Sequence, residues 1–90
     1  MYVLDTNVIS AVRVPGRRRA VERWVRSVPA ADQYTTAMSI SEIEQGIRRK
    51  RPKDAAAAAA LDVWLHQAVL RGFRDRILPF DLHAARIHGR

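Results

Sequence analysis

The chain has 90 residues, of which 48% are hydrophobic and 28% charged, a composition that predicts one small folded domain and excludes a disordered chain. Its 16 basic and nine acidic side chains give a net charge of +7, which favours either a polyanionic partner or simply a solvated basic surface. It has no cysteine and no apolar stretch near the roughly 20 residues that span a bilayer, so a disulfide framework and a membrane-spanning helix are excluded and a cytoplasmic protein is expected.

The first strand is predicted at the start of the chain, where Tyr2-Val3-Leu4 runs into Asp5-Thr6-Asn7. A short apolar run followed by polar capping residues predicts a strand buried on both faces and then a helix. That helix is expected to end at Pro15-Gly16, and a second is predicted over about residues 17–28, before Pro29.

The middle of the chain repeats this alternation of strand and helix. Residues 33–38 favour a second strand through their aromatic and β-branched side chains, and Ser39 is expected to open a helix that runs to about residue 49. A fourth helix is predicted from an N-cap at Asp54, through six alanines, to Leu70.

The end of the chain predicts a third strand at residues 77–80 and a final helix capped by Asp81. Strands separated by helices of this length predict right-handed crossovers and a parallel sheet in a three-layer α/β/α fold. Because the sheet would have only about three strands, we expect residues 1–90 to form a single domain that is incomplete at its C-terminus.

Two acids are expected to meet at one edge of this sheet. Ligands of open parallel sheets bind beyond the carboxyl ends of the strands, where Asp5 ends the first strand and Glu42 lies in the predicted first turn after the second. Two carboxylates without cysteine or a suitably spaced histidine pair favour Mg²⁺ or Mn²⁺. Such ions activate water and stabilise charge that develops on a phosphodiester.

Structural roles compete with this interpretation. Asp5 would serve equally as a helix N-cap, and Ser39-Ile40-Ser41-Glu42 matches a capping box, which on spacing alone is the favoured role of Glu42. Gly46, one turn beyond Glu42, would either clear space beside the carboxylate or allow close helix packing. Arg49 would either reach a phosphate or balance the acids.

The remaining candidates for binding or catalysis are weaker. His66, His83 and His88 share no spacing typical of a metal site. Trp24 and Trp64 lie on apolar stripes, so core or dimer contacts are predicted for them in place of base stacking.

Three motifs in this order, YVLDTNVIS, TTAMSISEIEQGI and RILPFD, resemble the PIN-domain proteins. The resemblance is specifically to the VapC-type toxins of bacterial type II toxin-antitoxin systems, with the FitB-like subgroup nearest, and it covers essentially the whole chain. It implies a PIN-like fold and a ribonuclease that cuts RNA with Mg²⁺ or Mn²⁺. It also implies a cognate VapB-like antitoxin and a homodimer.

The resemblance assigns roles to four residues of the site. Asp5 looks like the family's first metal-binding acid and Glu42 like its second, while Thr6 and Asn7 match the polar residues that position water or the first acid. The family's third acid, and often a fourth, lie on later elements and have no counterpart in this sequence. The chain therefore resembles the N-terminal two thirds of a PIN domain.

Two functions remain open from the sequence. The first is a VapC-like toxin that cleaves RNA, and the second is a truncated PIN remnant that binds antitoxin or RNA without cleaving. A phosphatase of the haloacid-dehalogenase type would also place an Asp at the end of its first strand. That chemistry needs a second Asp two residues later, where this sequence has Asn7.

Overall fold

The computed structural model of the protein describes residues 1–79, and its centre is a parallel sheet. The sheet has three strands, β1 (Tyr2–Val3), β2 (Gln33–Thr36) and β3 (Ile77–Leu78), in the order β1-β2-β3. Both outer strands run parallel to β2. The predicted three-stranded parallel sheet of an α/β fold is therefore confirmed.

The helices follow the predicted order along the chain. They are α1 (Thr6–Ala11), α2 (Arg19–Ser27), α3 (Ala37–Lys50) and α4 (Ala55–Trp64). The last continues as a π-helical segment over Leu65–Leu70, which periodicity did not predict. Within residues 1–79, none of the helices is both long enough and apolar enough to cross a membrane. The helix predicted after Asp81 lies outside the described residues.

The boundary between β2 and α3 differs from the prediction. The helix begins at Ala37, not Ser39, and Thr36 is its N-cap, whose side-chain oxygen accepts a hydrogen bond from the backbone N–H of Ser39. Threonine is a good N-cap, and Ala37 is a strong helix former. The predicted capping box at Ser39 is therefore wrong, and Glu42 lies in the second turn of α3, not the first.

The turn between α1 and α2 also shortens the second helix at its start. Gly16 has a φ of +84°, a left-handed conformation that glycine adopts without the steric cost of a side chain. As a result α2 begins at Arg19, two residues later than predicted, and it ends at Ser27.

The hydrophobic core is formed by residues from the end of β1, from α1, and from the two longer helices with their π-helical continuation. Its buried members are Leu4, Ile9, Ile40, Ile43, Ile47, Ala58, Leu65 and Val69. Trp64 packs against this cluster as predicted. Trp24, in contrast, is 41% exposed, and its ring meets the ring of Tyr2 edge to face with centroids 5.4 Å apart.

Candidate functional site

Asp5 is held at the end of β1 by the pairing of the sheet. The preceding residue, Leu4, donates its N–H to the carbonyl of Tyr34 at 2.7 Å and accepts a hydrogen bond from the hydroxyl of Thr35 at 2.8 Å. Asp5 then caps α1, because its Oδ1 accepts from the N–H of Val8 at 3.0 Å. The predicted capping role is confirmed, and it occupies one of the two carboxylate oxygens.

A hydrogen bond between two elements joins the start of α1 to α3. The hydroxyl of Thr6 donates to Oε2 of Glu42 at 2.6 Å, across 36 residues of sequence. Since Thr6 directly follows Asp5, this contact brings the chain segment that carries Asp5 up to the carboxylate of Glu42. The contact places the carboxylate of Glu42 beside the residue that follows Asp5 at the carboxyl end of β1.

The position of Glu42 follows from the buried face of α3. Ile40, Ile43 and Ile47 point into the core, which is the helical spacing of an amphipathic face. Glu42 lies beside this face and is exposed. Because Thr36 supplies the cap of α3, the Glu42 carboxylate is not used for capping and is available to Thr6.

Three other predicted residues take different positions around these acids. Asn7 is exposed on the first turn of α1. A Cβ added at Gly46 would meet no heavy atom of the described chain within 4 Å, so close packing does not explain this glycine, whereas open space beside Glu42 agrees with it. Arg49 donates from Nε to the carbonyl of Gln45 at 3.4 Å and forms no ion pair within residues 1–79.

The donor atoms of Asp5 and Glu42 fit a hard divalent cation. Each carboxylate uses one oxygen in a hydrogen bond, which leaves its other oxygen for a ligand. Mg²⁺ is commonly held by one or two carboxylates and keeps several waters. Within the described residues, no group of three or more acids, histidines or cysteines gathers in a geometry suited to a metal. Two carboxylates would leave several coordination positions of such an ion to water.

Sequence reasoning missed a buried acid in α2. Glu22 is only 8% exposed, accepts the N–H of Gly16 at 2.8 Å through Oε1, and lies 3.6 Å from Nη2 of Arg26 through Oε2. These contacts fix the turn between α1 and α2. Periodicity alone does not predict the burial of a charged residue, because such burial depends on its partners.

A pocket beside α1 was also missed. It has a volume of about 620 Å³ and is lined by Asn7, Ser10, Ala11, Arg17 and Arg18. The run of three arginines at residues 17–19 was a signal in the sequence, but its position relative to α1 depends on the turn at Gly16.

Comparisons with known proteins agree with this fold. No protein-family model matches the chain. Ribonuclease VapC14 from Mycobacterium tuberculosis is 47% identical over 72 residues, which cover 80% of this chain and 70% of that protein. Toxin FitB from Neisseria gonorrhoeae is 34% identical over 88 residues, covering 98% of this chain and 62% of FitB.

Solved structures give the same result. The crystal structure of FitAcB from Neisseria gonorrhoeae matches with a TM-score of 0.81 and 34% identity, covering 99% of this chain and 63% of that one. The structure of FitAB bound to an IR36 DNA fragment matches with a TM-score of 0.74 and 32% identity. The chain thus spans 62% of FitB and 70% of VapC14, and the resemblance drawn from its three motifs is confirmed, together with the PIN-like fold.

Proposed function

The chain belongs to the VapC-type toxin family, and on this premise we propose that the protein is the toxin of a type II toxin-antitoxin system, a metal-dependent endoribonuclease. The relatives named as ribonucleases and as a toxin support this activity. The hydrogen bond between Thr6 and Glu42 carries the proposal, because it brings a second acid to the strand end that bears Asp5.

Different residues of the site are proposed to bind the ion, to orient its ligands and to contact the substrate. Asp5 and Glu42 would hold Mg²⁺ or Mn²⁺, which when bound supplies an activated water and stabilises charge on the phosphodiester. Thr6 donates to Glu42 and so orients its carboxylate toward the ion, as outer partners of metal ligands commonly do. Asn7 offers an exposed amide that can donate to or accept from water or RNA.

Replacement of Asp5 by asparagine tests this function while leaving the helix cap in place. Asparagine caps helices about as well as aspartate, so Asp5→Asn removes the charge and preserves α1. Asp54→Asn is the matched control, because Asp54 caps α4 in the same way and its N–H bonds to Lys50, at the opposite end of α3 from the turn that carries Glu42. Cleavage of a labelled RNA with Mn²⁺ should fall about a hundredfold in Asp5→Asn and Glu42→Gln and persist in Asp54→Asn. Wild-type rates in Asp5→Asn would contradict the proposal.

A VapB-like antitoxin and a second copy of the chain are the proposed partners. The solved neighbours are FitAcB and FitAB, and the latter is bound to DNA. The exposed ring pair of Tyr2 and Trp24 supports a homodimer, since contiguous exposed apolar surface marks interaction sites. An RNA substrate and the absence of cysteine from the sequence fit a cytoplasmic setting.

A second candidate function is a PIN remnant that binds antitoxin or RNA without cleaving. It is favoured by the observation that residues 1–79 bring together two acids and form no group of three suited to a metal. The same assay separates the two functions. Retained RNA or antitoxin binding, with no difference between wild type and Asp5→Asn in cleavage, would select the remnant.

A further inference from the structure

The pocket beside α1 begins at the first turn of the helix that Asp5 caps. Its lining begins at Asn7, which directly follows Thr6, and it continues through Ser10 to Arg17 and Arg18. It follows the face of α1 that carries Ser10 and Ala11. A molecule bound in this pocket would therefore extend along α1 from the site of the acids.

The charges of the pocket are of one sign. Two arginines line it, and none of its lining residues is acidic. Arg17 is held in place, because its Nη2 donates to the carbonyl of Ser10 at 2.9 Å. Arg18 is exposed, and its side chain forms no hydrogen bond or ion pair within residues 1–79. Arginine side chains pair with phosphate through two parallel N–H donors.

The backbone that carries these two arginines is fixed on both sides. Gly16 precedes them in a left-handed conformation, and its N–H donates to the buried Glu22. Arg18 is followed at once by α2. A binding group on an ordered segment loses less conformational entropy on association than one on a disordered loop.

We propose that this pocket, called here the Arg17–Arg18 pocket, binds an RNA backbone phosphate that neighbours the one at the acid pair. Arg18 is the principal contact and Arg17 the second. The inference rests on the proposed function and deepens it, since it assigns a path for the substrate strand over α1. RNA is favoured over an acidic protein segment because the pocket begins on the first turn of α1, the helix capped by Asp5, beside which the scissile phosphodiester would lie. Asn7 and Ser10 also offer the neutral groups that suit sugar hydroxyls.

The test measures RNA binding without cleavage. A short fluorescein-labelled single-stranded RNA is titrated with the full chain in EDTA, and fluorescence anisotropy is recorded over a series of KCl concentrations. The variants are Arg18→Ala and Arg18→Glu, with Arg74→Ala and Arg74→Glu as matched controls. Arg74 is exposed and precedes β3. Because the strands run parallel, Arg74 lies toward their N-terminal ends, whereas Asp5 lies at the C-terminal end of β1.

Arg18→Ala is expected to weaken RNA binding about fivefold and to reduce the slope of log affinity against log salt by about 0.7, the value for one phosphate contact on a single strand. Arg18→Glu should weaken it further, and the Arg74 variants should stay within about twofold of wild type. Because Arg17 also holds Ser10, Arg17→Ala is compared with wild type only after thermal unfolding shows equal stability.

Three outcomes would overturn the inference. They are equal losses in the Arg18 and Arg74 variants, a wild-type chain that does not bind the RNA, and wild-type affinity in Arg18→Glu, which would leave an acidic protein as the occupant. Cleavage by wild type and Asp5→Asn is measured separately. If no RNA is cut but the Arg18 variants still bind RNA more weakly than wild type, the proposed nuclease function is wrong. The proposed phosphate site in the Arg17–Arg18 pocket is then still supported.

Discussion

Asp5 and Asp54 perform the same local task in two different regions of the molecule. Each caps a helix through Oδ1, which accepts a backbone N–H three residues later at 3.0 Å in α1 and 3.1 Å in α4. Asp5, however, follows a strand in the sheet, and its neighbour Thr6 reaches Glu42 on α3. Asp54 follows an exposed turn. The comparison teaches that capping geometry alone does not distinguish a structural acid from a proposed metal ligand, whereas a contact to a distant element sets the cap at Asp5 apart.

The largest expected difference between the two caps is in metal affinity. Asp5→Asn should weaken Mn²⁺ binding about a hundredfold, because it removes one of the two carboxylates that would hold the ion, and Asp54→Asn should leave it unchanged. Isothermal titration calorimetry of the three proteins measures this difference. Equal affinities in all three would show that the cap at β1 holds no metal.

The hydrogen bond from Thr6 should have the next largest effect. Thr6→Val removes the donor to Glu42 while keeping the shape of the side chain and the Asp5 cap, so Mn²⁺ affinity should fall about tenfold, as for other groups that orient metal ligands. Thr6→Ser keeps the hydroxyl and is the control. A loss of equal size in Thr6→Ser would indicate that the methyl group matters in place of the hydrogen bond.

The two caps should contribute similar amounts to the free energy of unfolding. Asp5→Ala and Asp54→Ala each remove one N-cap and should lower the free energy of unfolding by about 1 kcal/mol, whereas the asparagine variants should change it by only a few tenths. Urea unfolding followed by circular dichroism provides the measurement. If Asp5→Asn lost as much as Asp5→Ala, the charge of Asp5 would be structural, and the comparison would no longer separate cap from site.

The smallest effect is expected at Gly46, one turn from Glu42. An added Cβ meets open space in the described chain, so Gly46→Ala should raise the free energy of unfolding by about 0.5 kcal/mol through helix propensity. Gly72→Ala, near the end of the helical segment that extends α4, is the control and should gain less. A destabilised Gly46→Ala would show that the space beside Glu42 is filled in the folded protein.

The elements that the sequence predicted well depend on neighbouring residues. The apolar run before Asp5 and the alanines after Asp54 each lie beside their own capping residue, so strand, helix and cap were all recognised. The start of α3 was harder to place, because Thr36 and Ser39 are both good caps three residues apart. Thr36 is the cap in the structure because β2 ends there, at its pairing with Leu78 on β3.

The parts that the sequence could not predict depend on distant residues. The contact of Thr6 with Glu42 spans 36 residues, and the burial of Glu22 depends on the turn at Gly16. The rule that parallel strands end at one edge of a sheet predicted that Asp5 and Glu42 lie near each other, but spacing alone favoured a capping box for Glu42. The π-helical segment at Leu65–Leu70 likewise has no periodic signal that separates it from an α-helix.

The central position of β2 has a consequence for how the protein is made. Leu4 on one side bonds to Thr35 across 31 residues, and on the other side Arg76 donates from Nε to Gln33 across 43 residues. Such distant pairings are slow to form, because long stretches of chain must first close into loops. The pairing of β1 with β2, and the helices that carry Asp5 and Glu42, need only the first 50 residues. These 50 residues precede β3 in the chain, so the pairing of β1 with β2 does not depend on β3 for either of its strands.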